Sequence, residues 1–185
     1  MTAITEEAIL IAPVGTFDAD ILSAVEQIIP QIFGISCRIE TLLDDIDFAW
    51  NSERRQFNST AILSKLSEKT PTDAFKVIAL THNDLYIPIL THVYGEAQLG
   101  GTSAIVSTCR LAGEISPVGQ RTLYLDRITK EAAHELGHTF DLRHCKDHQC
   151  LMHYCRSIKD VDGKASQLCR YCQVLFKDYL KAFSS

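Results

Sequence analysis

The chain has 185 residues, 46% of them hydrophobic and 22% charged, with a formal net charge of −5. This length suits one domain around a single core, and the composition excludes intrinsic disorder. The acidic balance offers no electrostatic basis for a nucleic-acid or anionic-membrane partner, and no apolar run approaches the ~20 residues that cross a bilayer.

The amino terminus MTAITEEAIL has two glutamates and no basic stretch. It does not read as a signal peptide, and the protein is expected to be cytoplasmic. Residues 8–14 (AILIAPV) form a buried strand by pattern. DADILSAVEQIIPQIF follows as a helix, with Asp18 or Asp20 as its cap and Ile21, Val25, Ile28, Ile29 and Ile32 on one face. SCRIETL alternates as a second strand, DDIDFAWNSERRQ reads as a polar loop, and STAILSKLSEKT as a short helix closed before Pro71. FKVIALT is a third strand. HVYGEAQ and TSAIVST form a strand pair across the glycine turn LGG. A longer helix is expected from Tyr124 to Phe140, and VLFKDYLKAF closes the chain as a helix presenting Phe176, Tyr179, Leu180 and Phe183. The order β-α-β-α-β with further strands defines an α/β (α+β) fold, a mixed twisted sheet with packed helices. One domain over 1–185 is expected. Residues 1–143 would hold the sheet, the helices and the active-site helix, and 144–185 a small cysteine-rich subdomain plus the C-terminal helix, in which 144–172 has no conventional core and needs a staple.

Chemistry concentrates in HELGHTFDLRHCKDHQC, residues 134–150. His134 and His138 are i and i+4 on a helix, so both imidazoles can meet one ion. Glu135 lies beside them, where a carboxylate can take a proton from metal-bound water. A helix stopping near residue 141 lets the chain turn back and offer His144 as a third ligand. Three imidazoles leave a fourth tetrahedral position open, the arrangement of catalytic zinc. The plainer alternative is an exposed charged helix face.

Five of the seven cysteines fall in the last 41 residues. In a reducing compartment such clustering favours metal ligation over disulfides. Cys145, Cys150, Cys169 and Cys172 have the spacing C-x4-C-x18-C-x2-C, which supplies two ligand pairs to a closed structural zinc. The CxxC pair also fits a thioredoxin-like redox site, but those open a helix after a strand, and none precedes Cys169. Cys155 either replaces a nearby ligand or is a buried free thiol, and Cys37 and Cys109 are expected to lie in the core. His144 and Cys145 are adjacent, so residues 134–150 serve two metals, a count of two zinc ions per chain.

These residues resemble the archaemetzincins, whose signature is HExxHxxGxxHC, then C-x-M, then a distal CxxC. His134, Glu135, His138, His144, Cys145, Cys150, Met152, Cys169 and Cys172 match in order, and RRQFNSTAIL, the HNDLY segment and STCRL extend the likeness over most of the chain. The resemblance implies a compact metzincin-type zincin domain with an active-site cleft, one catalytic zinc and one structural zinc. It implies Met152 as the Met-turn residue, packed under the metal site without binding it; ordinary core filling is the alternative. Two departures stand out. Asp141 occupies the family's glycine position, where it either makes the same left-handed turn or, on a longer helix, approaches the metal. The MHY triplet from Met152 resembles the Met-turn of astacin-like and serralysin-like metzincins, in which the tyrosine stabilises the oxyanion. Tyr154 takes that role or simply packs. His148 and His153 read as exposed, and Asp84, Tyr86 and Arg110 as structural.

The expected function is a zinc metallopeptidase acting on peptide or protein substrates, with Glu135 as general base and an extended substrate beside HVYGEAQ. The competing readings are a weakly active or non-catalytic zinc-binding module of the same fold, and a cysteine redox protein.

Overall fold

A computed structural model describes residues 8–183; the reading of the amino terminus as no leader concerns residues largely outside them. The main sheet has five strands in the order β2-β1-β5-β8-β7. They are β1 (Ala8–Pro13), β2 (Cys37–Ile39), β5 (Ala74–Thr81), β7 (Gly95–Ala97) and β8 (Ser103–Ser107). β2, β1, β5 and β8 run parallel, and β7 joins β8 antiparallel as an edge. The apolar runs of β1 and of Val77–Leu80 in β5 follow from burial on both faces. Ile9, Ile11, Ile78 and Leu80 face the helices α1 (Ala19–Phe33) and α3 (Arg121–Thr139). Leu10, Ala12, Val77 and Ala79 face α2 (Ser59–Lys69) through Ile62, Leu63 and Leu66. The period-2 alternation of strand side chains thus divides one strand between two cores.

α1 buries Ile21, Val25, Ile29 and Phe33. Asp18 is its N-cap residue, yet neither Asp18 nor Asp20 caps with its side chain, because both carboxylates pair with Arg121 at the start of α3. α2 ends at Lys69, before Pro71, and its N-terminus is capped by Asn58, whose Oδ1 accepts from the Ala61 amide. α3 begins three residues earlier than its apolar pattern suggests, since Arg121–Leu123 add a turn without a core-facing stripe.

The stretch expected as loop carries short structure instead. A 3-10 turn (Asp47–Ala49) leads into β3 (Trp50–Asn51) and β4 (Gln56–Asn58), which with β6 (Leu85–Tyr86) make a second sheet. The strands are two or three residues long, too short to show alternation. The region 144–172 also has a helix, α4 (Ile158–Gly163), opened by a capping box of Ser157 and Asp160. α5 (Arg170–Phe183) buries Cys172 and Phe176. Phe176 stacks edge-on to Phe33 and Phe140, and Tyr179 to Phe140, so α5 packs on the end of α3. Cys150, Leu151, Met152, Leu168 and Cys172 share the core cluster of α1 and α3. Cys109 is exposed and Cys37 half-buried, against the expectation that both are core: Cys109 lies just past β8, and Cys37 on the edge strand β2. Cys155 is also only half-buried. Among the described residues, no helix is long and apolar enough to cross a membrane.

Candidate active site and metal centres

α3 carries His134, Glu135 and His138 into a cleft of about 690 Å³ whose far wall is the β7 edge and the segment before it. The helix ends at Thr139, and Asp141 adopts φ 60°. Left-handed backbone there reverses the chain, and Leu142 donates its amide to the Gly137 carbonyl at 3.2 Å. The return places His144 against the other two histidines, with ring centroids 5.4 Å from His134 and 4.9 Å from His138. Asp141 stays outside this group and is exposed.

The geometry suits a cation. Each of the three histidines offers a ring nitrogen to a group whose ligand atoms lie within 4.8 Å of one another. His134 donates through Nδ1 to the Leu151 carbonyl at 2.9 Å, and His138 through Nδ1 to the Leu142 carbonyl at 2.7 Å. Both therefore keep a lone pair on Nε2, and these nitrogens are 3.2 Å apart. Two nitrogens each about 2.0–2.1 Å from a shared zinc stand a little over 3 Å apart. Burial holds His134 well below the usual imidazole range and His138 down to about 4, so both are neutral, the form that binds metal. Burial also lowers His144.

The second cluster is closed. Cys145 Sγ lies 3.8 Å from Cys169 Sγ, and Cys150 Sγ 3.7 Å from Cys172 Sγ. A disulfide needs about 2.05 Å, whereas tetrahedral thiolates about 2.3 Å from zinc sit close to 3.8 Å apart. The Cys169 amide also points at Cys150 Sγ, at 3.4 Å, as suits a thiolate.

Two glycines allow the close approach of Glu135 and of Met152. A Cβ on Gly95 of β7 would lie 2.5 Å from Glu135 Cγ and 2.6 Å from the Ile105 carbonyl, so Glu135 abuts bare backbone. A Cβ on Gly137 would lie 2.5 Å from Met152 Sδ. Met152 is fully buried against the active helix and belongs to neither ligand group. Tyr154 is 44% exposed, lines the cleft and tilts against His144 at 4.8 Å. Arg54 and Gln56 donate to the carbonyls of Leu90 and Thr91, and Asp84 receives Arg110 and Gln56. The small sheet thereby braces the cleft wall, which gives Asp84 and Arg110 their structural role.

Sequence pattern passed over one buried pair. Lys164, after α4, is wholly enclosed; its Nζ meets Glu131 Oε1 at 2.7 Å, at an angle too bent for a hydrogen bond, and lies 3.3 Å from His134 Nδ1. His134 Nδ1 is already a donor, so this last contact is purely electrostatic. Burial pushes the Glu135 carboxyl well above the usual range and Glu131 adds to it, while the Lys164 ammonium opposes both. A charged pair thirty-three residues apart leaves no periodic trace. The only signal was Glu131 on the same helix face as Glu135, one turn earlier.

Fold, cleft and the two ligand clusters define a zinc-dependent peptidase of metzincin type. A family model described as Peptidase family M54 matches residues 16–178. An archaemetzincin of Methanocaldococcus jannaschii is 38% identical over 172 residues, 92% of this chain and 93% of that protein. The crystal structure of an archaemetzincin from Methanopyrus kandleri superposes with a TM-score of 0.82 at 31% identity, covering 97% of this chain and 98% of that one. A zinc-dependent peptidase from Methanocorpusculum labreanum gives 0.80 at 25% identity, covering 91% and 100%. The chain belongs to peptidase family M54, the family of the archaemetzincins, and is a zinc metallopeptidase.

Proposed function

We propose that the protein hydrolyses peptide bonds at the three-histidine site, with Glu135 as general base. His134, His138 and His144 hold a catalytic zinc, and Cys145, Cys150, Cys169 and Cys172 a structural one. The catalytic ion supplies a Lewis acid for the peptide carbonyl and a water acidified towards pKa ~7. The remaining work falls to side chains. Glu135, buried in the cleft floor beside His134, accepts the proton of the attacking water and delivers it to the leaving amine. Burial raises its pKa and so strengthens it as a base, while the Lys164 ammonium acts in the opposite sense. Tyr154 donates its hydroxyl to the developing oxyanion; its place in the cleft lining beside His144 supports this role. Met152 supports the helix at Gly137 as the Met-turn residue. Substrate lies extended along the free edge of β7, where backbone pairing is open. Residues 1–185 act as one domain, with 144–185 as the stapled part that fixes His144 and Tyr154.

The observation that carries this reading is a carboxylate enclosed beside converging, neutral imidazoles, in a cleft where Gly95 leaves it room. A purely structural site has no use for that carboxylate. Glu135→Gln should keep zinc content and unfolding temperature near wild type and lower hydrolysis of a cleaved peptide by about 10²–10⁴-fold. Equal cleavage by the variant would place the hydrolysis elsewhere and favour a non-catalytic zinc module.

A further inference from the structure

Two histidines outside both clusters face one another on the surface of the carboxy-terminal region. His148 Nδ1 lies 3.1 Å from His153 Nε2, with ring centroids 4.4 Å apart and planes inclined at 61°. A straight N–H···N bond sets the nitrogens head-on, and the centroids then stand farther apart than the nitrogens by both ring radii. Here the centroids are only slightly farther apart than the nitrogens. The rings are therefore tilted away from that head-on arrangement, with the two nitrogens on neighbouring edges. His134 and His138 show the same signature, with 3.2 Å between nitrogens and 4.7 Å between centroids.

The tautomer is already chosen on one side. His153 donates through Nδ1 to the Cys145 carbonyl at 3.1 Å, which leaves the Nε2 lone pair facing His148. A ligating imidazole is oriented in this way, by a carbonyl accepting from its other nitrogen. The backbones are fixed too. The Cys145 amide donates to the Met152 carbonyl at 2.8 Å, and Cys145 bridges to His153 as an isolated β-pair. His148 lies between the ligand cysteines Cys145 and Cys150 and is exposed, so the pair opens to solvent.

We propose that His148 and His153 form a third metal site, which takes a divalent transition ion such as Ni²⁺ or Zn²⁺ from solution. Imidazole pairs suit these ions and not Mg²⁺ or Ca²⁺, which seek oxygen. Two ligands with water in the other positions hold the ion more weakly than either proposed zinc cluster, so the site is exchangeable. An ion there joins the Cys145–Cys150 loop to the segment that carries Tyr154.

The test uses untagged protein with its resident metal, titrated with Ni²⁺ alone by calorimetry, beside His148→Ala. Wild type should bind one further equivalent, and its unfolding temperature should rise by about 5 °C at roughly 100-fold excess over Kd. His148→Ala should keep its zinc and bind Ni²⁺ about tenfold more weakly or worse. An independent reading comes from paramagnetic Ni²⁺ in wild-type protein, which should broaden the ring resonances of His148 and His153 before those of His82 and His92. No further equivalent in wild type, equal binding by the variant, or first broadening at His82 or His92 would overturn the proposal.

Discussion

A side chain at φ 60° costs roughly 1–2 kcal/mol relative to glycine, least for Asp and Asn. Asp141 adopts that conformation and keeps its carboxylate away from the histidines, so the turn matters and the charge does not. Asp141→Gly should raise stability by up to about 1 kcal/mol and leave zinc affinity within a few-fold. Chemical unfolding and a zinc competition assay check this, and loss of the His-bound ion would make Asp141 a ligand after all. Gly95 is the more sensitive position. A methyl there meets Glu135 and the Ile105 carbonyl at once, and a misplacement of about 1 Å near the reacting atoms can cost ~10²-fold. Gly95→Ala should therefore lower kcat by at least about tenfold with metal content unchanged; an unchanged kcat would show that Glu135 needs no such clearance. Acid sensitivity follows from His138. Its folded pKa of about 4 lies below the ordinary imidazole value, so protons compete for this ligand only as pH falls towards 4. The ion should stay in place at pH 6 in a chromophoric chelator assay; release complete by pH 6 would contradict the buried, neutral imidazole.

At the scale of elements, α3 is held by buried charges at its C-terminal end and at its middle. Lys76, on β5, donates to the Thr139 carbonyl at 2.8 Å and to the Gly101 carbonyl at 2.6 Å, and so places a cation at the C-terminus of the helix. Lys164 neutralises Glu131 beneath His134. Breaking a buried pair costs about 3–5 kcal/mol because one charge stays behind, whereas replacing both partners by apolar groups can be neutral. Lys164→Met should accordingly destabilise by about that much and loosen the catalytic ion, and adding Glu131→Leu should recover most of the stability. Additive losses in that double-mutant cycle would count against a coupled pair. Neither lysine was visible in the sequence. Elements whose apolar residues recur along their length were: Ile21, Val25 and Ile29 of α1, and the runs of β1 and β5. Lys76 and Lys164 act through partners 63 and 33 residues away, as a cation bound to Thr139 and to Glu131, and a linear pattern carries no record of such a partner. The small sheet of β3, β4 and β6 was missed for a related reason. Its strands are too short to alternate, and the carbonyls they brace at Leu90 and Thr91 lie far along the chain.

Across the whole molecule, the histidine and cysteine clusters share one scaffold. The cysteine loops enter the core of α1 and α3 through Cys150, Leu151 and Met152, and His144 and Cys145 are neighbours in the chain. Ligand types and spacings made both clusters legible from sequence, since metal ligation demands particular atoms at particular intervals. Their placement against one core came only with the fold. A four-thiolate site is fully ligated and contributes folding free energy, while a three-histidine site keeps an open position. A chelator should therefore remove the His-bound ion first, with loss of hydrolysis in a protein that remains folded. Removal of the second ion should unfold residues beyond 144, seen as lost amide protection there. The most direct test of two metals with separate tasks is elemental analysis of protein purified without added metal, together with titration of its thiols. The account predicts two zinc ions per chain, with Cys145, Cys150, Cys169 and Cys172 unreactive until the second ion leaves. At most one zinc per chain, with those four thiols reactive in the folded protein, would contradict it.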